Sequence, residues 1–241
     1  MLFWRRKKLV AVVIGVVLAS VPMAAFSLWL DYFIEQKGRE EVDLVGRRAL
    51  ALADARLSRV VDALGELAER GIESCRAGHL ESLRRMNFAT TPIKELSLVG
   101  PDGHTLCTDL DIALGLREVV FAQPLIADGS VIIEVIRLAS REDPMIRLRR
   151  HVTANLALAA LMPLELFLPQ VSNRGGRSNI HARLLTRDGK VLAENGVELV
   201  GPADDRFTAV IQSDRHDLAA SVTLSRAQVL AGHADLYRVG L

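Results

Sequence analysis

The feature that most constrains this chain is a run of 22 residues, Leu9 to Leu30, without a single charged side chain. At about 1.5 Å rise per residue a helix of that length matches a hydrocarbon core of about 30 Å, so the run is expected to be a transmembrane helix. Arg5, Arg6, Lys7 and Lys8 precede it, while Asp31 and Glu35 follow. Basic flanks stay on the cytoplasmic side, which orients residues 1–8 as a cytoplasmic N-terminus and sends everything after the span outward. An uncleaved anchor is preferred over a signal peptide, because the apolar run continues eleven residues past Ala19, where a cut could fall. Leu156 to Leu168 is shorter and contains Pro163 and Glu165, so it reads as protein core. The resulting expectation is a single-pass protein of the bacterial inner membrane with a periplasmic soluble domain.

Thirty Lys and Arg stand against 29 Asp and Glu, and removing the four N-terminal cations leaves 26 against 29. That balance argues against nucleic acid as a partner. With half the residues hydrophobic, the soluble part has the material for a folded core.

Residues 31–77 contain no proline and are rich in Ala, Leu, Glu and Arg, which predicts one long helix running out of the membrane. Val42, Val45, Ala49, Ala53, Leu57, Val60, Leu64 and Leu67 recur in steps of three and four along it. This stripe is expected to pack on the domain's own sheet, and its membrane-proximal part offers a homodimer contact through a parallel coiled coil. Cys75 is expected on the same stripe, near the helix end.

After Pro92 the pattern becomes β-like. Ile93 to Val99, the turn Pro101-Asp102-Gly103 and His104 to Thr108 predict a hairpin. Further strands are expected at Glu118 to Ile126, Val131 to Ala139 and Met145 to Leu161, followed by a short helix from Pro163 to about Val171 and a loop at Asn173 to Ser178. Ile180 to Thr186, the turn Arg187-Asp188-Gly189 and Lys190 to Ala193 make a second hairpin; Phe207 to Ser213 and Leu218 to Leu224 are the last strands, before a helix capped by Ser225. The two Asp-Gly hairpins could mark tandem units, but each half has few helices, so one α+β domain at 78–225 with a single antiparallel sheet is expected, helices on both faces, and 226–241 as a C-terminal helix.

Only two cysteines occur, Cys75 and Cys107, and an oxidising compartment makes a disulfide the default reading, either as a structural staple or as a redox switch. A zinc set of Cys75, His79, His104 and Cys107 is the alternative, disfavoured because Gly78 loosens the helix before His79 and the spacing fits no common finger. No cofactor is expected, and no catalytic residue: no phosphate loop, nucleophile elbow or paired-carboxylate motif stands out. Arg147, Arg149, Arg150, Arg174 and Arg177 are read as a solvated face rather than an anion site.

The chain resembles the CSS-motif sensor domain, a periplasmic module ahead of EAL-type cyclic di-GMP phosphodiesterases. The resemblance rests on the basic N-terminus, the span, the long helix ending in Cys75, the strand Glu95-Leu96-Ser97-Leu98-Val99, the Asp102-Gly103 turn and Cys107 in the name-giving position. Cys107-Thr108-Asp109 stands where the family has Cys-Ser-Ser, which keeps one hydroxyl and brings in a charge. The resemblance implies a Cache- or PAS-like periplasmic architecture, a phosphodiesterase output carried by a following span and EAL domain that these 241 residues do not contain, and the periplasmic disulfide-forming machinery as a partner of Cys75 and Cys107. A Cache-type small-ligand receptor, a zinc-bound structural domain and an enzyme without a visible motif are the other readings, in that order.

Overall fold

A computed structural model describes residues 2–110, 117–138, 144–168, 180–196, 198, 202 and 205–231, the side chains of 2–19 excepted. The elements are α1 (Leu2–Glu69), α2 (Ala77–Ala89), β1 (Glu95–Val99), β2 (Thr105–Thr108), β3 (Arg117–Pro124), β4 (Val131–Leu138), β5 (Met145–Thr153), β6 (Leu156–Pro163), a 3-10 turn at Leu164–Leu166, β7 (Ile180–Thr186), β8 (Val191–Asn195), β9 (Arg206–Gln212) and β10 (Leu218–Ser225). Residues 226–231 are helical, and the Ser225 hydroxyl accepts the Gln228 N–H at 3.2 Å, an N-terminal cap of the expected type. The loop at Asn173 to Ser178, with Arg174 and Arg177, lies outside the described residues.

The strands form two antiparallel sheets, of order β2-β1-β6-β5-β4-β3 and β8-β7-β10-β9, where the sequence predicts one. Each sheet holds one of the Asp-Gly hairpins. The scarcity of helices does not force a single sheet, because α1 is about 100 Å long at 1.5 Å per residue and serves both. Gly38 and Gly46 of α1 lie against Phe207 and Ile211 of β9, and Gly65 lies beside the Arg150 guanidinium of β5. A Cβ on Gly38 would run into the Phe207 ring, so only glycine lets helix and ring approach this closely.

The predicted stripe is the spine of the core. Val42, Ala53, Leu57, Val60, Leu64 and Leu67 are buried with Leu96 and Leu98 of β1, Ile133 of β4, Ile146 and Leu148 of β5, Leu158 and Ala160 of β6, and Leu184 and Val222 of the second sheet. Val45 is half-buried against the same core.

Three elements differ from the sequence expectation. The long helix stops at Glu69 instead of 77: Gly71 takes φ +70°, Gly71 N–H donates to Ala68 O and Ile72 N–H to Leu67 O, closing the helix on a left-handed glycine. Cys75 therefore sits in the connector to α2, a helix that the sequence pattern does not separate from the first. Met145 to Leu161 is two strands, β5 and β6, which pair with each other around residues 154–155 because Thr153 faces Leu156. Past Pro163 the described chain forms a single 3-10 turn, shorter than the helix expected there.

Candidate functional site

The site is built at the β1–β2 hairpin and the sheet face beside it. Leu98 pairs with Cys107 across the hairpin, and the Cys107 sulfur is bonded to that of Cys75, whose Cα lies 5.9 Å away, closing a loop with a sequence separation of 32. The disulfide fastens the start of α2 to β2. His79, from the alternative zinc set, has its Nδ1 3.0 Å from the Ser74 hydroxyl, while the Cys75 and Cys107 sulfurs are bonded to each other.

The far half of α2 is fastened by the residue that departs from the family motif. Asp109 is buried, and its Oδ1 accepts the Leu96 N–H at 2.7 Å while Oδ2 accepts the Asn87 side-chain amide at 2.5 Å. The Thr108 hydroxyl donates to Oδ1 at 3.3 Å, and the Asp109 carbonyl accepts Arg84 Nε at 3.0 Å. A carboxylate buried among donors is tolerated because its oxygens are met by them. The charge that replaces a serine thus joins α2 to the β1 backbone, a role no sequence signal short of its neighbours' geometry reveals.

Alternate residues on the strands face opposite sides. Ile146 and Leu148 of β5 and Leu158 and Ala160 of β6 turn into the core beneath α1. The other face of the six-stranded sheet carries Glu95 and Ser97 of β1, Ala157, Ala159 and Leu161 of β6, Arg147 and Arg149 of β5, and Glu134 of β4. Arg147 is 1% exposed, against the expectation of a solvated face. The alternation holds, but the face is buried: β5 is an inner strand, and Glu134 faces Arg147 in the ladder. Arg147 Nε donates to Glu134 Oε2 at 2.5 Å, and Arg149 Nε lies 3.2 Å from Glu134 Oε1. Arg150 turns the other way, beside Gly65 of α1.

A second buried pair joins Arg117 of β3 to Glu95 of β1. These strands are four positions apart in the sheet, about 19 Å if it were flat, beyond the reach of the two side chains. The face is therefore concave. Arg147 Nη1 also donates to the Gly103 carbonyl at 3.3 Å, so the floor of this concavity is wired to the turn of the hairpin that carries Cys107. Glu95, Glu134 and Arg117 are site residues the sequence reading missed, while Asp109, singled out there only as a departure from the motif, turns out to tie α2 to β1. The only signal for Glu134 is a charge inside the apolar strand Val131-Ile132-Ile133-Glu134-Val135-Ile136.

Where the two sheets meet on α1, Asp54 accepts the Ser213 hydroxyl at 2.8 and 2.9 Å and lies 2.8 Å from His216 Nδ1, while Asp217 N–H donates to Leu125 O at 3.1 Å. The β9–β10 turn is thereby held to α1 and to the β3–β4 connection at once.

Residues 39–237 match the family described as the CSS motif domain associated with EAL. The chain belongs to the CSS-motif family. No curated protein matches it. Among solved structures, this CSS-motif domain is similar to the ligand binding domain of the Pseudomonas aeruginosa PAO1 amino acid chemoreceptor PctB in complex with L-Gln, with a TM-score of 0.57 at 12% identity over 84% of this chain and 98% of the other. The ligand-binding domain of the Pseudomonas fluorescens chemoreceptor CtaA in complex with L-leucine also has a TM-score of 0.57, at 10% identity over 83% of this chain and 99% of the other. At these identities the likeness is one of fold: a long N-terminal helix laid across antiparallel sheets.

Proposed function

We propose that this chain is the membrane-anchored periplasmic sensor of a cyclic di-GMP phosphodiesterase system, with the Cys75–Cys107 bond as its redox-responsive element. The observation that carries the reading is the disulfide of a CSS-motif domain set between the end of α1 and the hairpin of the six-stranded sheet, the sheet distal to the start of α1. α1 is continuous from Leu2, so a change in how its end is held has a direct route toward the cytoplasm. The bistable element is α2 with its connector, tied by the disulfide at one end and by Asp109 at the other.

Membrane anchoring is supported by the exposed apolar surface of α1. Val21, Met23, Phe26, Leu28 and Trp29 all project outward, and a helix apolar all round belongs in lipid. Trp29 stacks on Phe33 with centroids 5.6 Å apart, and Tyr32 follows, the aromatic girdle expected at a membrane interface. Among the described residues no helix is long and apolar enough to cross a membrane; the side chains of residues 9–19, the first half of the proposed span, lie outside them. Arg226 Nη2 lies 2.8 Å from Asp31 Oδ1, so the chain ends its last sheet beside the point where it left the span, as a sensor flanked by two spans requires.

The test joins residues 1–241 to a second span and an EAL domain and measures cyclic di-GMP turnover in wild type, Cys75→Ser and Cys107→Ser at matched protein levels, with and without reductant. The expected result is that both variants and the reduced wild type share one turnover rate, different from that of the oxidised wild type. Equal turnover throughout removes the switch.

A further inference from the structure

Among the described residues, the concave face of the six-stranded sheet carries more cation than anion. Arg117, Arg147 and Arg149 stand against Glu95 and Glu134, one guanidinium in excess among the described residues, and the side chains of Arg117, Arg147 and both acids are at most 8% exposed. Burying an unmatched charge is strongly unfavourable unless a counter-ion joins it.

The excess is also visible in hydrogen bonds. Arg147 spends Nε on Glu134 and Nη1 on the Gly103 carbonyl, which leaves Nη2 buried without an acceptor. Arg117 reaches Glu95 through Nη2, leaving Nε and Nη1 buried and unmatched. Thr105, which faces Val99 across the hairpin and so shares this face, has a buried hydroxyl with no partner. Buried donors of this kind are rare in folded proteins and call for an explanation. Beside them the sheet floor carries small side chains: Ser97, Ala159 and Ala157 are buried on neighbouring rungs.

From these observations we infer that the concave face is a binding site for a small organic carboxylate. A guanidinium presents two parallel N–H groups that match a carboxylate's two oxygens, and one such anion brings the local charge to zero. A phosphate dianion would overshoot it. Both acids on this face already accept from guanidinium groups, so no carboxylate there among the described residues is left to receive an ammonium. The site therefore takes the plain carboxylate and does not require the amino group that the ligands of PctB and CtaA carry. Through the Arg147 bond to Gly103, an anion drawing the guanidinium inward pulls on the hairpin turn that leads to Cys107. This deepens the sensor reading, on which it rests, by naming its ligand class.

The experiment uses the full chain in lipid nanodiscs and titrates propionate, acetate, L-leucine and the uncharged propionamide, read by thermal unfolding and by equilibrium dialysis of radiolabelled propionate. The expected result is saturable stabilisation and retention by at least one of the two plain carboxylates, with no response to propionamide. Arg147→Lys, which keeps the charge but loses Nη2, is expected to weaken binding at least tenfold. Should that variant fail to fold, the triple variant Arg147→Met/Arg149→Met/Glu134→Leu removes the excess cation together with the shared acid and is expected to fold without binding. The site is overturned by equal responses to propionate and propionamide, by binding that survives in the triple variant, by L-leucine acting while both plain carboxylates do not, or by no saturable response at millimolar concentration. A null titration with an intact cysteine-dependent output would sink this site alone and leave the sensor reading standing.

Discussion

The two sheets lie on one helix but are built on different principles. In the four-stranded sheet Phe207, Ala220, Val222 and Leu224 turn toward the core, while Val191 and Val210 project from the other side into solvent. The six-stranded sheet buries both faces, an apolar one against α1 and a charged one holding Glu95, Glu134 and Arg147. A fold that needs only stability has no reason to place ions between strands, since a well-packed apolar core does at least as well. The comparison therefore separates a sheet that serves as a platform from one that carries a costly, specific arrangement, and such arrangements are where function is found.

The sharpest way to break this contrast is Glu134→Gln, which strands two guanidinium groups inside the distal sheet. It is expected to cost about 3–5 kcal/mol, measured by urea unfolding of the full chain in nanodiscs, whereas Arg147→Met/Arg149→Met/Glu134→Leu, which removes both guanidinium groups with their acid, should fall close to wild type. If the single change proves harmless, the charges are not structurally coupled as described.

Next comes the covalent tie. Cys107→Ser opens a loop of sequence separation 32, and chain-entropy arithmetic gives a loss of about 3.5 kcal/mol. Hydrogen exchange should localise that loss to α2 and the β1–β2 hairpin, with β7–β10 protection unchanged; a uniform loss across both sheets would erase the distinction between them. The platform sheet is probed by Gly38→Ala, whose added methyl meets Phe207. Overpacking costs about 1–3 kcal/mol, offset by about 1 kcal/mol from the better helix former, and the effect should appear in β9 exchange first. The smallest effect is expected from Arg39→Ala, which removes only the exposed pair with Glu35 on α1 and should change the same unfolding midpoint by less than about 0.5 kcal/mol.

Much of the frame is legible in the sequence because it rests on local chemistry. Asp102-Gly103 and Asp188-Gly189 mark turns that the chain does make, and the spacing of Val42 through Leu67 gives the buried side of α1 without any knowledge of what covers it. The stop at Glu69 is not legible, since Arg70-Gly71-Ile72-Glu73 reads as helix until the glycine adopts its left-handed conformation. Arg147 is misplaced for a different reason. Period two shows that residues 147 and 149 share a face, but whether that face meets water depends on Glu134 and on the Arg117–Glu95 pair, which come from other strands of the sheet. Asp109 likewise gains its meaning only from Asn87 and Leu96.

Because one uninterrupted helix carries both sheets, their relative orientation is a matter of angular phase. Each residue of α1 turns its successor by about 100°, so one residue inserted between Gly46, beside Ile211, and Gly65, beside Arg150, would swing the distal sheet a quarter-turn or more away from the platform. Seven residues, nearly two whole turns, would bring the sheets back within about 20° of register while lifting one from the other by about 10 Å. Length changes in this stretch of the chain are thus confined to near-integral numbers of helical turns, as the teeth of a gear confine its settings.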